Sequence, residues 1–210
     1  MTAKLFTFVA ITALAALSAS CGEFTREGRS PALVVVRALE AASGATPDDL
    51  GGTLLSDVVT MVRTPAPCSD ASPCATLYND IAQVTMSLIA KDPGVPGIGS
   101  NPSFLNAVTI DRYHVSYRRA DGRNTAGVDV PYGFDSALTF TVPSDGVATA
   151  GFQIVRFAAK QEAPLRALAF NGETIATIAD VTFYGRDQAG NDVIVTASIG
   201  IDFANFADPA

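Results

Sequence analysis

Tryptophan is missing from the chain, histidine occurs once, at His114, and cysteine occurs three times. Each scarcity narrows the chemistry. Without Trp the chain lacks the commonest platform for stacking on sugar rings. A structural zinc centre takes four ligands, which one His together with Cys68 and Cys74 cannot supply. No G-x-S-x-G elbow or related nucleophile signature occurs, so a Ser-His-Asp enzyme would have to assemble around His114 from distant segments. Charge is also sparse, at 17% of residues. The formal net charge is −7 and Lys4 belongs to a leader, so losing that leader leaves −8. This sign argues against nucleic acid, whose phosphates demand clustered Lys and Arg. The one dense basic spot, Arg118, Arg119 and Arg123, has Asp121 inside it and reads as a solvated hairpin.

What is present begins with the leader. Met1 to Lys4 is a short, singly charged n-region, and Leu5 to Leu17 is an apolar run of thirteen residues. A spanning helix needs about 20 apolar residues, so the run is too short to cross a membrane and matches the h-region of a signal peptide. No later segment is apolar enough to span. Residues 1–20 are therefore expected to be a signal peptide forming an N-terminal signal helix. The stretch Leu17-Ser18-Ala19-Ser20-Cys21 resembles the lipobox of bacterial lipoproteins. The resemblance implies cleavage before Cys21 and transfer of a diacylglyceryl group to its thiol. The family's Leu three places before the Cys is here Ser18, with Leu17 one place further back. Small residues at Ser18 and Ser20 also suit an ordinary A-x-A-like cut, which leaves secretion without lipid as the alternative. Gly22 stands where enterobacterial lipoproteins retained at the inner membrane carry Asp, so the resemblance points to the outer membrane. Residues 21–31 then read as a lipid-anchored tether, with Glu23, Arg26, Glu27 and Arg29 and no apolar period.

Three cysteines leave one unpaired in an oxidising compartment. Cys68 and Cys74 flank Ser69-Asp70-Ala71-Ser72-Pro73, a turn-forming stretch, and a local disulfide closing it is the natural reading. The thiol left over is Cys21, the one a lipobox would consume.

Residues 32–210 carry the signature of a single domain with a sizeable core. Leu33 to Val36 is a β-branched run that favours a strand, although Arg37 to Ala42 could prolong it as a helix. Leu54 to Arg63 is apolar and β-branched again. Ile81 to Ala90 alternates cleanly, with Ala82, Val84, Met86 and Leu88 on one face. Val108 to Arg119 is a long strand whose apolar phase changes between Ile110 and Tyr113, which suggests a β-bulge near Asp111 and Arg112. Ala137 to Val142, Phe152 to Phe157, Thr174 to Tyr184 and Asp192 to Phe203 complete the set, with a short helical or irregular crossover over Ala163 to Phe170. About eight short strands separated by turn signals indicate an all-β, antiparallel sandwich.

The stretch from Thr182 to Val193, with Asp187-Gln188-Ala189-Gly190-Asn191-Asp192 at its centre, resembles the final hairpin of bacterial immunoglobulin-like and fibronectin-III-like surface modules. The resemblance implies an immunoglobulin-like fold and says nothing about a ligand. Gly190 would supply a positive φ and Asp187 would cap the turn. Asp187, Asn191 and Asp192 are also the chain's calcium candidates, because oxygen ligands suit that ion. Their spacing is not that of an EF-hand, and a structural turn explains them. Asp48 with Asp49, and Asp129 with Asp135, are carboxylate pairs of the kind that cleave glycosides, but turn formation accounts for them too. Tyr132 and Phe134 could stack on a ligand or anchor the core. His114 falls on the polar side of its strand with Arg112 and Ser116, and is expected to face solvent.

Two functions follow. One is a lipid-anchored envelope module that binds a protein partner or plays a structural role, without cofactor, nucleic acid or small-molecule substrate. The other is an exported hydrolase with a non-standard site near His114.

Overall fold

The computed structural model describes residues 28–92 and 101–206. The leader, Cys21 and the first part of the tether lie outside them. Ten strands form the body: β1 (Ala32–Ala42), β2 (Thr53–Asp57), β3 (Thr60–Val62), β4 (Cys74–Thr76), β5 (Asp80–Ala90), β6 (Val108–Arg118), β7 (Phe134–Val142), β8 (Val147–Val155), β9 (Ile175–Asp187) and β10 (Asp192–Ala204). Two four-residue helices, α1 (Phe157–Lys160) and α2 (Leu165–Leu168), lie between β8 and β9.

One sheet has the order β1-β5-β8 and the other β2-β10-β9-β6-β7, while β3 and β4 pair apart as a small hairpin. The chain crosses between the two large sheets after β1, β5, β7 and β8, crosses once more between β2 and β5 by way of β3 and β4, and makes hairpins at β6–β7 and β9–β10. This is the immunoglobulin-like sandwich that the last hairpin suggests. One pairing departs from the antiparallel expectation: β2 runs parallel to β10, Thr53 opposite Gly200 and Asp57 opposite Ala204. The count exceeds eight because the Leu54 to Arg63 segment breaks into β2 and β3 and because Cys74–Thr76 adds β4. The Asp57 carboxylate accepts from the Val59 N–H (3.4 Å) and the Thr60 hydroxyl (2.9 Å) and turns the chain between β2 and β3. Arg37 to Ala42 is strand rather than helix. Phe157 starts α1 instead of ending β8.

Strand period decides which side chains enter the core. Ala82, Val84, Met86 and Leu88 of β5 are buried, as are Val108, Ile110, Tyr113, Val115 and Tyr117 of β6. The second set keeps one face only because the register of β6 slips between Ile110 and Arg112: Asp111 is the extra residue against β9, while on the other side Leu138 and Thr139 of β7 stand opposite it. Gly185 of β9 faces this bulge, and a Cβ there would run into the Thr109 carbonyl. Ring packing fills the centre, with Phe152 edge-on to Tyr113 (4.9 Å between centroids) and to Phe183 (5.4 Å). Tyr113 and Tyr117 also bind the sheets together across the core. Their hydroxyls donate to the Gln153 and Ile154 carbonyls of β8 at 2.9 and 2.6 Å. Burial, reinforced by the nearby Asp80 charge, pushes the Tyr117 phenol far above its ordinary range, so it stays a donor.

A buried ion pair closes one end. Lys160 of α1 donates from Nζ to Asp80 Oδ1 (2.8 Å) and to the Asp57 carbonyl (2.7 Å). Asp80 also accepts from the Ser56 hydroxyl (2.6 Å) and the Gly44 N–H (3.0 Å). Both charged side chains are shut off from water. Burial pushes the Asp80 carboxyl up, and Lys160, Ser56 and Gly44 pull it back towards the ionised form. Removing one partner leaves the other charge buried and unpaired. Lys160→Met is therefore expected to cost about 3–5 kcal/mol, measured by denaturant unfolding of the variant beside the wild type.

Candidate functional site

The outer face of the five-stranded sheet carries rows of side chains that follow from the strand register. His114 on β6 lies opposite Asp135 of β7 and Thr182 of β9, with Thr196 of β10 beyond. The next row holds Arg112, Tyr184 and Ile194. The Arg112 guanidinium sits 4.0 Å above the Tyr184 ring, a cation–π contact on the outer surface. Threonine hydroxyls pair across the strands at 3.1 Å, Thr109 with Thr141 and Thr182 with Thr196.

His114 meets a carboxylate, with Nδ1 3.1 Å from Asp135 Oδ1. That is the arrangement that orients a catalytic imidazole. The remaining parts of such a site are not gathered around it. Among the described residues no serine or threonine hydroxyl is hydrogen-bonded to the ring, and the His114 side chain, 36% exposed, lies mid-strand on the open face. The other carboxylate pairs disperse as well. Asp129 closes its own loop by accepting from the Thr125 N–H (3.1 Å), while Asp135 serves His114. Asp49 lines one cleft, with Thr46 and Asp57, whereas Asp48 lines another, with Pro47 and Leu50. Phe134 is buried against Tyr113, whereas Tyr132 is exposed.

The basic spot is neutralised within its own loop. Arg119 and Arg123 both reach Asp121, at 2.7 and 2.8 Å, and Arg118 turns away to Asp180 (2.6 Å). Hydrogen bonds from Arg119 and then Arg123 hold the Asp121 carboxyl well below the usual carboxylate range.

At the β9–β10 turn, Asp187 Oδ1 accepts from the N–H groups of Ala189 (3.0 Å) and Asn191 (2.8 Å), and Oδ2 accepts from the Asn191 side-chain amide (2.8 Å). Asp192 is drawn off to Arg186 (2.8 Å). The three calcium candidates thus spend their oxygens and amides on the turn and its flank. Among the described residues no three His, Cys, Asp or Glu side chains are grouped to hold a metal ion. Gly190 takes φ +81° in this turn, as the spacing predicts, with open space where a Cβ would stand. The second local closure is the Cys68–Cys74 disulfide, which ties the β3–β4 loop and contributes about 2 kcal/mol by the chain-entropy estimate.

Two groups escaped the sequence. The Asp80–Lys160 pair joins positions eighty residues apart, and the Arg112–Tyr184 stack joins neighbouring strands. Neither leaves a spacing signal. A lysine in the apolar run Phe157-Ala158-Ala159-Lys160 was the single local hint.

No protein-family model matches the chain, and no curated protein matches it. A solved structure described as the X-ray structure of Northeast Structural Genomics Consortium target SoR45 is similar at 11% identity, covering 83% of this chain and 86% of that one, with a TM-score of 0.30. A likeness of that strength carries no functional argument.

The turn generates two expectations. Gly190→Val should destabilise the domain by about 1 kcal/mol or more, because a β-branched residue resists positive φ, and thermal unfolding measures it. Asp187 gives a pH dependence. Burial pushes its carboxyl up, but donors from Asn191, Ser30 and Ala189 outweigh this and set it below the ordinary 3.8. Its contribution is thus complete above the unfolded value and disappears as pH falls through the lower folded one. Wild type should lose stability on acidification below about pH 4 more steeply than Asp187→Asn in parallel denaturation curves.

Proposed function

We propose that the chain is an exported, lipid-anchored protein of the bacterial cell envelope whose sandwich acts as a non-catalytic interaction or structural module. The observation that carries this reading is the cysteine arithmetic. With Cys68 bonded to Cys74, Cys21 is the one thiol left over, and it stands where the lipobox-like stretch would have it acylated. Gly22 beside it favours the outer membrane. The contact surface on this reading is the outer face of the five-stranded sheet, where Arg112, Tyr184 and Ile194 combine apolar area with polar handles. A protein partner suits such a face better than a small molecule, which needs concavity.

The hydrolase reading survives on one observation, the His114–Asp135 contact. Among the described residues no Ser or Thr hydroxyl is hydrogen-bonded to the ring, and the side chain is 36% exposed to water.

Intact-mass and N-terminal analysis of the mature protein from its native host tests the anchor: the chain should begin at Cys21 and carry acyl chains. An unmodified Cys21 terminus, or a cut elsewhere, removes the lipoprotein reading. His114→Gln decides between module and enzyme. It should leave folding and any activity of the wild type intact, and a folded variant that loses such an activity turns the assignment to the hydrolase.

A further inference from the structure

The strand register collects certain connections at one end of the sandwich. The Ala32 end of β1 pairs with the Ala90 end of β5, Val147 at the head of β8 pairs with Ser87, and Val108 at the head of β6 pairs with Val142 and Asp187. Gly28, where the described chain begins, is fastened to the same end. Lys91 Nζ donates to the Gly28 carbonyl (2.8 Å), and the Lys91 N–H donates to the Pro31 carbonyl (2.9 Å).

Apolar side chains stand open around this junction. Leu33 and Ile89 face each other across β1 and β5 on the outer side of the three-stranded sheet, and both are exposed. Val147 is exposed on the same outer side. Phe104, 77% exposed, and Leu105 belong to a short 3₁₀ turn leading into β6 that buries none of its residues. The cost of leaving five large apolar side chains in water falls away if a hydrocarbon boundary meets them.

The covalent path of the chain selects the occupant. Cys21 precedes Gly28 by seven residues, and seven residues fully extended span at most about 25 Å. A bilayer that holds acyl chains on Cys21 therefore cannot be far from Gly28. We infer that this end of the sandwich lies against the membrane, with Leu33, Ile89, Phe104, Leu105 and Val147 seated at the boundary between headgroups and hydrocarbon. The inference rests on the lipid-anchor reading and adds orientation to it. The acyl chains retain the protein, and the apolar rim sets which end faces the bilayer. The loop between β6 and β7 and the segment of α1 and α2 then point away from the surface, at the opposite end of the strands.

The Trp-free chain makes the test direct. Phe104→Trp and Phe170→Trp each introduce one indole at an exposed site, 77% and 85% open, at opposite ends. Each full-length variant is produced with its leader, purified from membranes, checked by intact mass for acyl chains, and reconstituted in phosphatidylethanolamine–phosphatidylglycerol vesicles with and without brominated acyl chains. The acylated Phe104→Trp protein should be quenched at least two-fold by the brominated lipid and emit at shorter wavelength, with Phe170→Trp unaffected. Equal quenching at both positions, or none at Phe104→Trp in acylated protein, overturns the orientation while leaving the anchor standing. Protein without acyl mass overturns the anchor and the orientation with it.

Discussion

A single buried charge pair organises the end of the sandwich where the chain leaves β1, enters β5 and passes from β8 into α1. Taking Asp80 and Lys160 out of water costs several kcal/mol per ion, and the pair is tolerable only because every neighbour contributes. Lys160 brings α1, Asp80 begins β5, Ser56 and the Asp57 carbonyl come from β2, and the Gly44 N–H comes from the connection between β1 and β2. Four separate segments are thus held to one position. The same constraint fixes β2, which must leave the neighbourhood of β1 at the correct height to lie beside β10. Tyr117, whose phenol senses Asp80, extends the arrangement into the core and across to β8. The disulfide, by contrast, ties only a peripheral loop, so the sandwich is held by polar ties through its interior rather than by a covalent bridge between its sheets.

Period-two alternation made most of the body legible. The buried phase of β5, the bulge at Asp111 and the buried run of β10 could all be read from spacing, because in each the apolar side chains have one face to fill. Legibility failed where the determining contact is distant. Nothing in Thr53 to Asp57 announces a parallel partner at Gly200 to Ala204, and nothing beside Asp80 announces Lys160. The β2–β3 break was hidden for another reason: apolar and β-branched residues dominate both sides of it from Leu54 to Val62, and the turn depends on the single carboxylate of Asp57. At the candidate site, His114 could be placed on the polar side of β6 by alternation, while its contact with Asp135 required the register of β7.

Charge on this protein is largely answered at short range. Arg118 is answered by Asp180, Arg119 and Arg123 by Asp121, Arg186 by Asp192 and Arg63 by Asp70. Surface pairs of this kind add little stability, but they spend the arginine donors that would otherwise grip a phosphate or a carboxylate. The exposed sheet face is left with hydroxyls, the His114–Asp135 contact, the Arg112–Tyr184 stack and Ile194. Such a surface discriminates by shape and by desolvated apolar contact more than by long-range attraction.

The parallel pairing of β2 with β10 also has a meaning in time. The chain is made from its N-terminus, so Thr53 to Asp57 emerge long before Gly200 to Ala204, the one strand they pair with among the described residues. β10 is itself the partner of β9 along twelve residues, and until it arrives the larger sheet has neither its second hairpin nor its connection to the first third of the sequence. Contacts of such separation are slow to form. The domain is therefore completed by its last strand, and any product that stops short of Asp192 is left with β2 unpaired and the inner faces of both sheets open to whatever apolar surface is nearby.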